Sequence, residues 1–120
     1  MKENKGEKRD ERVTVLTQNF QEYFSLAELA LKQKSYNSAT TLYFKALVAL
    51  CDLIILRKEG FVPSSHTHRF RVIQENHPDL YEILDRDFPF YQDSYTRRMN
   101  REAAELLRND TLDVKKKTSL

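Results

Sequence analysis

The chain has 120 residues, 40% apolar and 32% charged, which fits one domain with a real core beneath a well-charged surface. Only 2 glycines and 3 prolines are present, too few for the turns of many short strands, so an all-β sandwich or barrel is not expected. With 20 basic against 18 acidic residues the net charge is +2, too balanced for composition alone to point to nucleic acid.

The opening stretch, MKENKGEKRDER, is charged throughout and lacks the apolar segment of a secretory signal. A flexible tail is expected over residues 1–12, followed by one helical domain over 13–110. From Val13 a helical rhythm begins, with Leu16, Phe20, Phe24, Ala27 and Leu31 recurring at intervals of three and four. This first helix is expected to end near Lys34, where Ser35 and Asn37 offer cap or turn chemistry. A second runs from about Tyr36 to Glu59 and stops at Gly60, the residue suited to the left-handed position after a helix.

Between Leu42 and Leu56 only Lys45 and Asp52 are charged. A helix apolar nearly all round must be covered nearly all round. Leu50 with Ile54 and Leu47 with Cys51 share one strip, while Val48 and Ile55 lie a heptad apart on another. The surplus predicts a homodimer whose interface includes Val48 and Ile55. No apolar run approaches the length of a membrane span, so no membrane partner is expected. The lone Cys51 cannot form an internal disulfide and suits a reducing, cytoplasmic compartment.

Phe61 to Ser65 reads as a connection, with Ser64 or Ser65 capping a third helix from about His66 to Asn76. Pro78 suits the first turn of a fourth helix carrying Leu80, Tyr81, Ile83 and Leu84. Pro89 is expected to break or kink it before Phe90, Tyr91 and Tyr95. Asn100 reads as the cap of a last helix with Ala103, Ala104, Leu106 and Leu107 on its apolar face. Residues 111–120 are expected to form a solvated basic tail. The architecture is all-α, an antiparallel up-and-down bundle of four or five helices.

The spacing of Ala27, Ala30, Tyr36, Ala39, Tyr43, Ala46 and Leu47 looks like a tetratricopeptide unit, in which small residues let two helices pack closely. No second copy follows between Pro63 and Arg98. A wider resemblance covers roughly Val13 to Leu107. It rests on three features: the run KSYNSATTLYFKAL from Lys34 to Leu47, Pro63-Ser64-Ser65-His66 opening the third helix, and Phe90-Tyr91-Gln92-Asp93-Ser94-Tyr95-Thr96-Arg97-Arg98. In this order they resemble the HEPN family (higher eukaryotes and prokaryotes nucleotide-binding), in particular its small archaeal and bacterial members. The resemblance implies a HEPN-like bundle that dimerises and works beside a minimal nucleotidyltransferase, in a toxin–antitoxin-like setting. Some members are ribonucleases that use an Arg and, four to six residues on, a His.

Arg71 and His77 match that pattern with five residues between them, and His and Arg suit proton transfer and phosphate charge. In the family, however, the motif lies late, near what is here Arg97, Arg98 and Asn100, and no His follows those arginines. Arg71 and His77 are therefore weak candidates, and no catalytic residue is assigned. His66 and His68 diverge on a helix and His77 is two turns away, a spacing unsuited to zinc, so no metal is expected. Gly6 and Gly60 stand alone, so no glycine-rich phosphate loop exists and no cofactor is expected. His66, Arg69, Asp93, Tyr95, Arg97 and Arg98 are the candidate ligand-binding residues. Guanidinium groups suit phosphate, a tyrosine can stack a base, and Asp93 can pair with Arg97 one turn on.

The expected function is a non-catalytic HEPN-like helical domain that binds a nucleotide, RNA or a partner minimal nucleotidyltransferase. Two alternatives remain open. One is a metal-independent HEPN ribonuclease toxin, and the other is a tetratricopeptide-like protein-interaction adaptor.

Overall fold

Asp10 opens the described chain as a helix cap, its carboxylate accepting a hydrogen bond from the Arg12 backbone N–H at 2.9 Å. The structure, a computed structural model, describes residues 10–120. The tail expected over 1–12 falls outside the described residues as far as residue 9, and from Glu11 the chain is helical. Five helices follow: α1 (Glu11–Lys32), α2 (Tyr36–Glu59), α3 (His66–Asn76), α4 (Pro78–Asp93) and α5 (Arg101–Lys115). The described residues contain no strand.

Helices α1 and α2 form a hairpin closed by Gln33, Lys34 and Ser35. Ser35 N–H reaches back to the Ala30 carbonyl at 2.8 Å and Lys34 N–H to that of Leu31 at 3.0 Å, the two bonds of a Schellman cap. That cap puts Lys34 at φ 63°, a left-handed conformation an L side chain resists. Gly60 closes α2 in the same left-handed conformation, at φ 88°, with its N–H on the Leu56 carbonyl at 2.9 Å, but without that penalty. Ala27, Ala30 and Ala39, all buried, let α1 and α2 approach closely.

The whole bundle is arranged around α2. It packs most extensively on α1 and α5, and α4 and α3 cover its remaining sides. Tyr43, Leu47, Leu50 and Ile55 on α2 are fully buried, together with Ile73 of α3, Leu84 of α4, and Leu107 and Val114 of α5. A polar tie fastens α1, α2 and α5 together. Glu28 of α1 accepts from the Tyr43 hydroxyl at 2.5 Å and from Arg108 of α5 at 2.7 Å.

Four expectations need correction. The first concerns Ile55, which is fully buried by its own chain and so cannot line a dimer interface, whereas Val48 is only half-buried against the core. The cover comes from within the chain, because the four other helices all pack against α2. Secondly, α2 is long and apolar enough by composition to cross a bilayer, contrary to expectation, yet 78% of its most apolar stretch is buried inside the bundle. Thirdly, Pro89 does not break α4, which runs on to Asp93. Pro89 and Asp85 are both exposed, so the Asp85 carbonyl that proline leaves without a helical donor lies on the solvent side. Finally, residues 111–115 belong to α5, with Thr111 and Val114 buried. Thr118 is buried as well, and its carbonyl accepts from Arg57 at 2.7 Å, so much of the expected tail is part of the fold.

Two outcomes test this packing. Ile55→Ala should lower the unfolding free energy by about 2–5 kcal/mol, with no change in sedimentation mass. Lys34→Gly should stabilise the chain by about 1 kcal/mol by relieving the left-handed lysine, seen as a higher urea midpoint at unchanged slope.

Candidate functional site

Asp52 sits in the middle of α2 with 5% of its surface exposed. A carboxylate there needs a cation, and Arg69 of α3 supplies one in a two-pronged contact, Nε to Oδ1 at 2.7 Å and Nη2 to Oδ2 at 2.9 Å. Burial lifts the Asp52 carboxyl above its ordinary range, against the pull of the Arg69 guanidinium. Ser65 starts α3 at the right place for this contact, its hydroxyl accepting from the His68 N–H at 3.1 Å.

The remaining face of Arg69 sets the state of a histidine. Its Nη1 lies 3.0 Å from His66 Nδ1. A guanidinium only donates, so Nδ1 accepts and the imidazole proton is assigned to Nε2. His66 is thereby held neutral, its pKa lowered by burial and then by the charges of Arg69 and Lys45. The rings of Phe44, Phe88 and Tyr91 pack around it at centroid distances of 6.4, 5.5 and 6.0 Å.

These groups border a cleft of about 300 Å³ between α1, α2, the start of α3, and α4. Leu16, Asn19 and Tyr23 form its α1 wall, and Lys45, Val48 and Asp52 its α2 wall. Lys45 extends over the Tyr91 ring, its Nζ 5.8 Å from the centroid. No carboxylate among the described residues pairs with Lys45. Asp52 and Arg69 cancel and His66 is neutral, so the cleft carries the single positive charge of Lys45. The Tyr91 hydroxyl meets that of Tyr95 at 2.8 Å, and burial, then this bond, raises Tyr91 to about 12.

Of the residues expected to bind ligand, the structure brings His66, Arg69 and Tyr95 together. Tyr95 borders a second depression with His66, Phe88 and Tyr91 that adjoins the cleft. Asp93, Arg97 and Arg98 line none of the depressions around His66. Asn37 holds their loop to the start of α2, donating to the carbonyls of Ser94 at 2.9 Å and Arg97 at 2.6 Å. That anchor lies eight residues, roughly 12 Å, up the helix axis from Lys45. The expected Asp93–Arg97 ion pair does not form. Instead the Arg97 N–H donates to the Asp93 carbonyl at 2.8 Å as the helix unwinds.

The nuclease-like pair is not assembled. Arg71 is exposed beside Phe70 and Asp85, whereas His77 turns its Nε2 to both carboxylate oxygens of Glu59 at 3.1 Å. The described residues contain no group of three side chains able to hold a metal ion. Cys51 is buried and its thiol is pushed up to about 12 by that burial, first, and by the nearby Asp52, so it is not a nucleophile. The arrangement offers a cation with no carboxylate partner among the described residues, a neutral imidazole donor and aromatic faces.

Sequence reasoning missed Lys45 and Asp52 as site residues. Their signal was present: they are the two charged residues of the apolar stretch, seven positions apart and so on one face. No protein-family model, no curated protein and no solved structure matches the chain.

The His66 geometry fixes the sign of a pH dependence. A histidine whose pKa is lowered by folding binds protons more readily in the unfolded chain, so its stabilising contribution is full above about pH 6.5 and lost as pH falls. Proton NMR should find His66 titrating below 6.5, and His66→Gln should flatten the acid limb of the stability curve.

Proposed function

We propose that the chain is a non-catalytic, HEPN-like helical domain that binds a phosphate-bearing ligand, a nucleotide or an RNA end, in the cleft around Lys45, His66 and Arg69. The observation that carries this reading is the Lys45 cation beside Tyr91, which no carboxylate among the described residues pairs. Phosphate oxygens would meet Lys45, the His66 Nε2–H and the two Arg69 N–H groups that Asp52 and His66 leave free. A base would stack on Tyr91 or Tyr95, and Tyr95 is 67% exposed. The single free thiol, Cys51, fits the cytoplasm as the place of work.

A homodimer or a partner transferase would have to engage a surface that does not include Ile55. The exposed apolar residues Val15, Leu26 and Leu29 of α1 are what the molecule offers. Ribonuclease activity lacks support because His77 is engaged by Glu59 and does not share the depression that Arg71 lines. A tetratricopeptide-like adaptor lacks support because α3 and α4, of 11 and 16 residues, do not repeat the hairpin of 22 and 24.

Titration of adenosine monophosphate and a short 5′-phosphorylated single-stranded RNA tests the proposal. Lys45→Ala should weaken binding about tenfold, equivalent to roughly 1.4 kcal/mol, and reduce its salt dependence. The double variant Arg97→Ala/Arg98→Ala should bind as the wild type does, and the RNA should stay intact in chelator. Equal affinity of Lys45→Ala and wild type would overturn the cleft reading. Cleavage abolished by Arg71→Ala and by His77→Ala would establish the nuclease instead.

A further inference from the structure

Where α4 packs on α5, two carboxyl groups meet inside the protein. Asp87 has no exposed surface, and neither of its carboxyl oxygens has a hydrogen-bond partner. Asp110 is buried too, with 5% of its surface exposed. Its Oδ1 accepts from Arg86 Nη2 at 2.9 Å, and its Oδ2 has no partner. Arg86 also approaches Asp87, Nε to Oδ1 at 3.6 Å, but about half of its side chain is in solvent. The groups facing Asp87 are thus Arg86 from its own helix, Asp110 from α5, and from α2 the neutral thiol of Cys51. One guanidinium cannot balance two buried carboxylates, and three orphaned acceptor oxygens need a donor.

We propose that Asp87 and Asp110 share a single proton, and that this proton ties α4 to α5 with a hold that weakens as pH rises. A protonated Asp87 donates to Asp110 Oδ2, which supplies the missing donor and leaves one negative charge against Arg86. Burial, with the Asp110 charge adding to it, raises Asp87 to about 8. Freed from α5, the same carboxyl returns to its ordinary value near 3.8. Between about pH 4 and pH 8 the docked helix therefore holds one proton more than the undocked one. Undocking releases that proton to water and becomes about tenfold easier per pH unit across this window, levelling off above it.

Asp87 stands one helical turn before Tyr91, so a loosened α4 carries away the aromatic side of the cleft. That consequence rests on the cleft reading above; the shared proton does not. Carbon-13 NMR of the aspartate carboxyls should show one group titrating near pH 8, absent from Asp87→Asn. Amide protection factors along α4 should fall about tenfold per unit between pH 6 and pH 8 in the wild type. In Asp87→Asn, whose amide donates in place of the proton, they should stay flat. An Asp87 carboxyl titrating in the ordinary range, or wild-type protection in α4 that ignores pH, overturns the proposal. The wild-type titration decides even where Asp87→Asn fails to fold. Adenosine monophosphate titration reads the cleft alone, so its failure overturns the cleft and leaves the α4 protection data to judge the proton.

Discussion

A carboxylate in the middle of the most apolar helix obliges the rest of the bundle to bring it a cation, and Arg69 answers that demand from a different helix. An unpaired charge at that depth costs several kcal/mol, so α3 has little freedom in where it docks. Everything in the cleft follows. With its Nε and Nη2 on Asp52, the guanidinium presents Nη1 to His66 and so decides which imidazole nitrogen carries the proton. Two apolar side chains of the same volume would stabilise the helix contact as well. What the ion pair contributes is direction: it aims an imidazole and a guanidinium at a cleft that already holds Lys45 and Tyr91.

The helices were largely legible in the sequence because their boundaries are local chemistry. Asn100 caps α5 and Ser65 caps α3 through their own side chains, and Gly60 ends α2. What failed depends on partners distant in sequence. Nothing near residue 118 says that its carbonyl will meet Arg57, and nothing near Ile55 says how many helices will surround it. The candidate site divides along the same line. His66 and Arg69 were visible because one helix carries both. Arg97 and Arg98 were misplaced because a bond to Asn37, 60 positions from Arg97, holds their loop at the other end of α2.

Lys45 and Asp52 show why an apolar run should be read for its exceptions. A charge retained in a helix that is otherwise apolar marks either an error of assignment or a place where the fold supplies something specific. Here one of the two is paired in the interior, and the other is left facing an aromatic ring and a cleft. The same logic applies to Asp87 and Asp110, whose helices are polar enough in sequence that the burial of both acids could not be read from either segment alone.

The central position of α2 also bears on how the chain comes off the ribosome. Its first cover, α1, precedes it and is joined by three residues, so that hairpin can close as soon as both helices have emerged. Its second large partner, α5, begins more than 40 residues after α2 ends. Until that stretch has been made, one flank of the most apolar helix in the molecule has no lid. A nascent chain paused at this stage presents Leu47, Leu50 and their neighbours to whatever is nearby, the situation in which holding chaperones and aggregation compete. The final helix is thus the step that withdraws the chain from that competition, and codons between Gly60 and Arg101 set how long the exposure lasts.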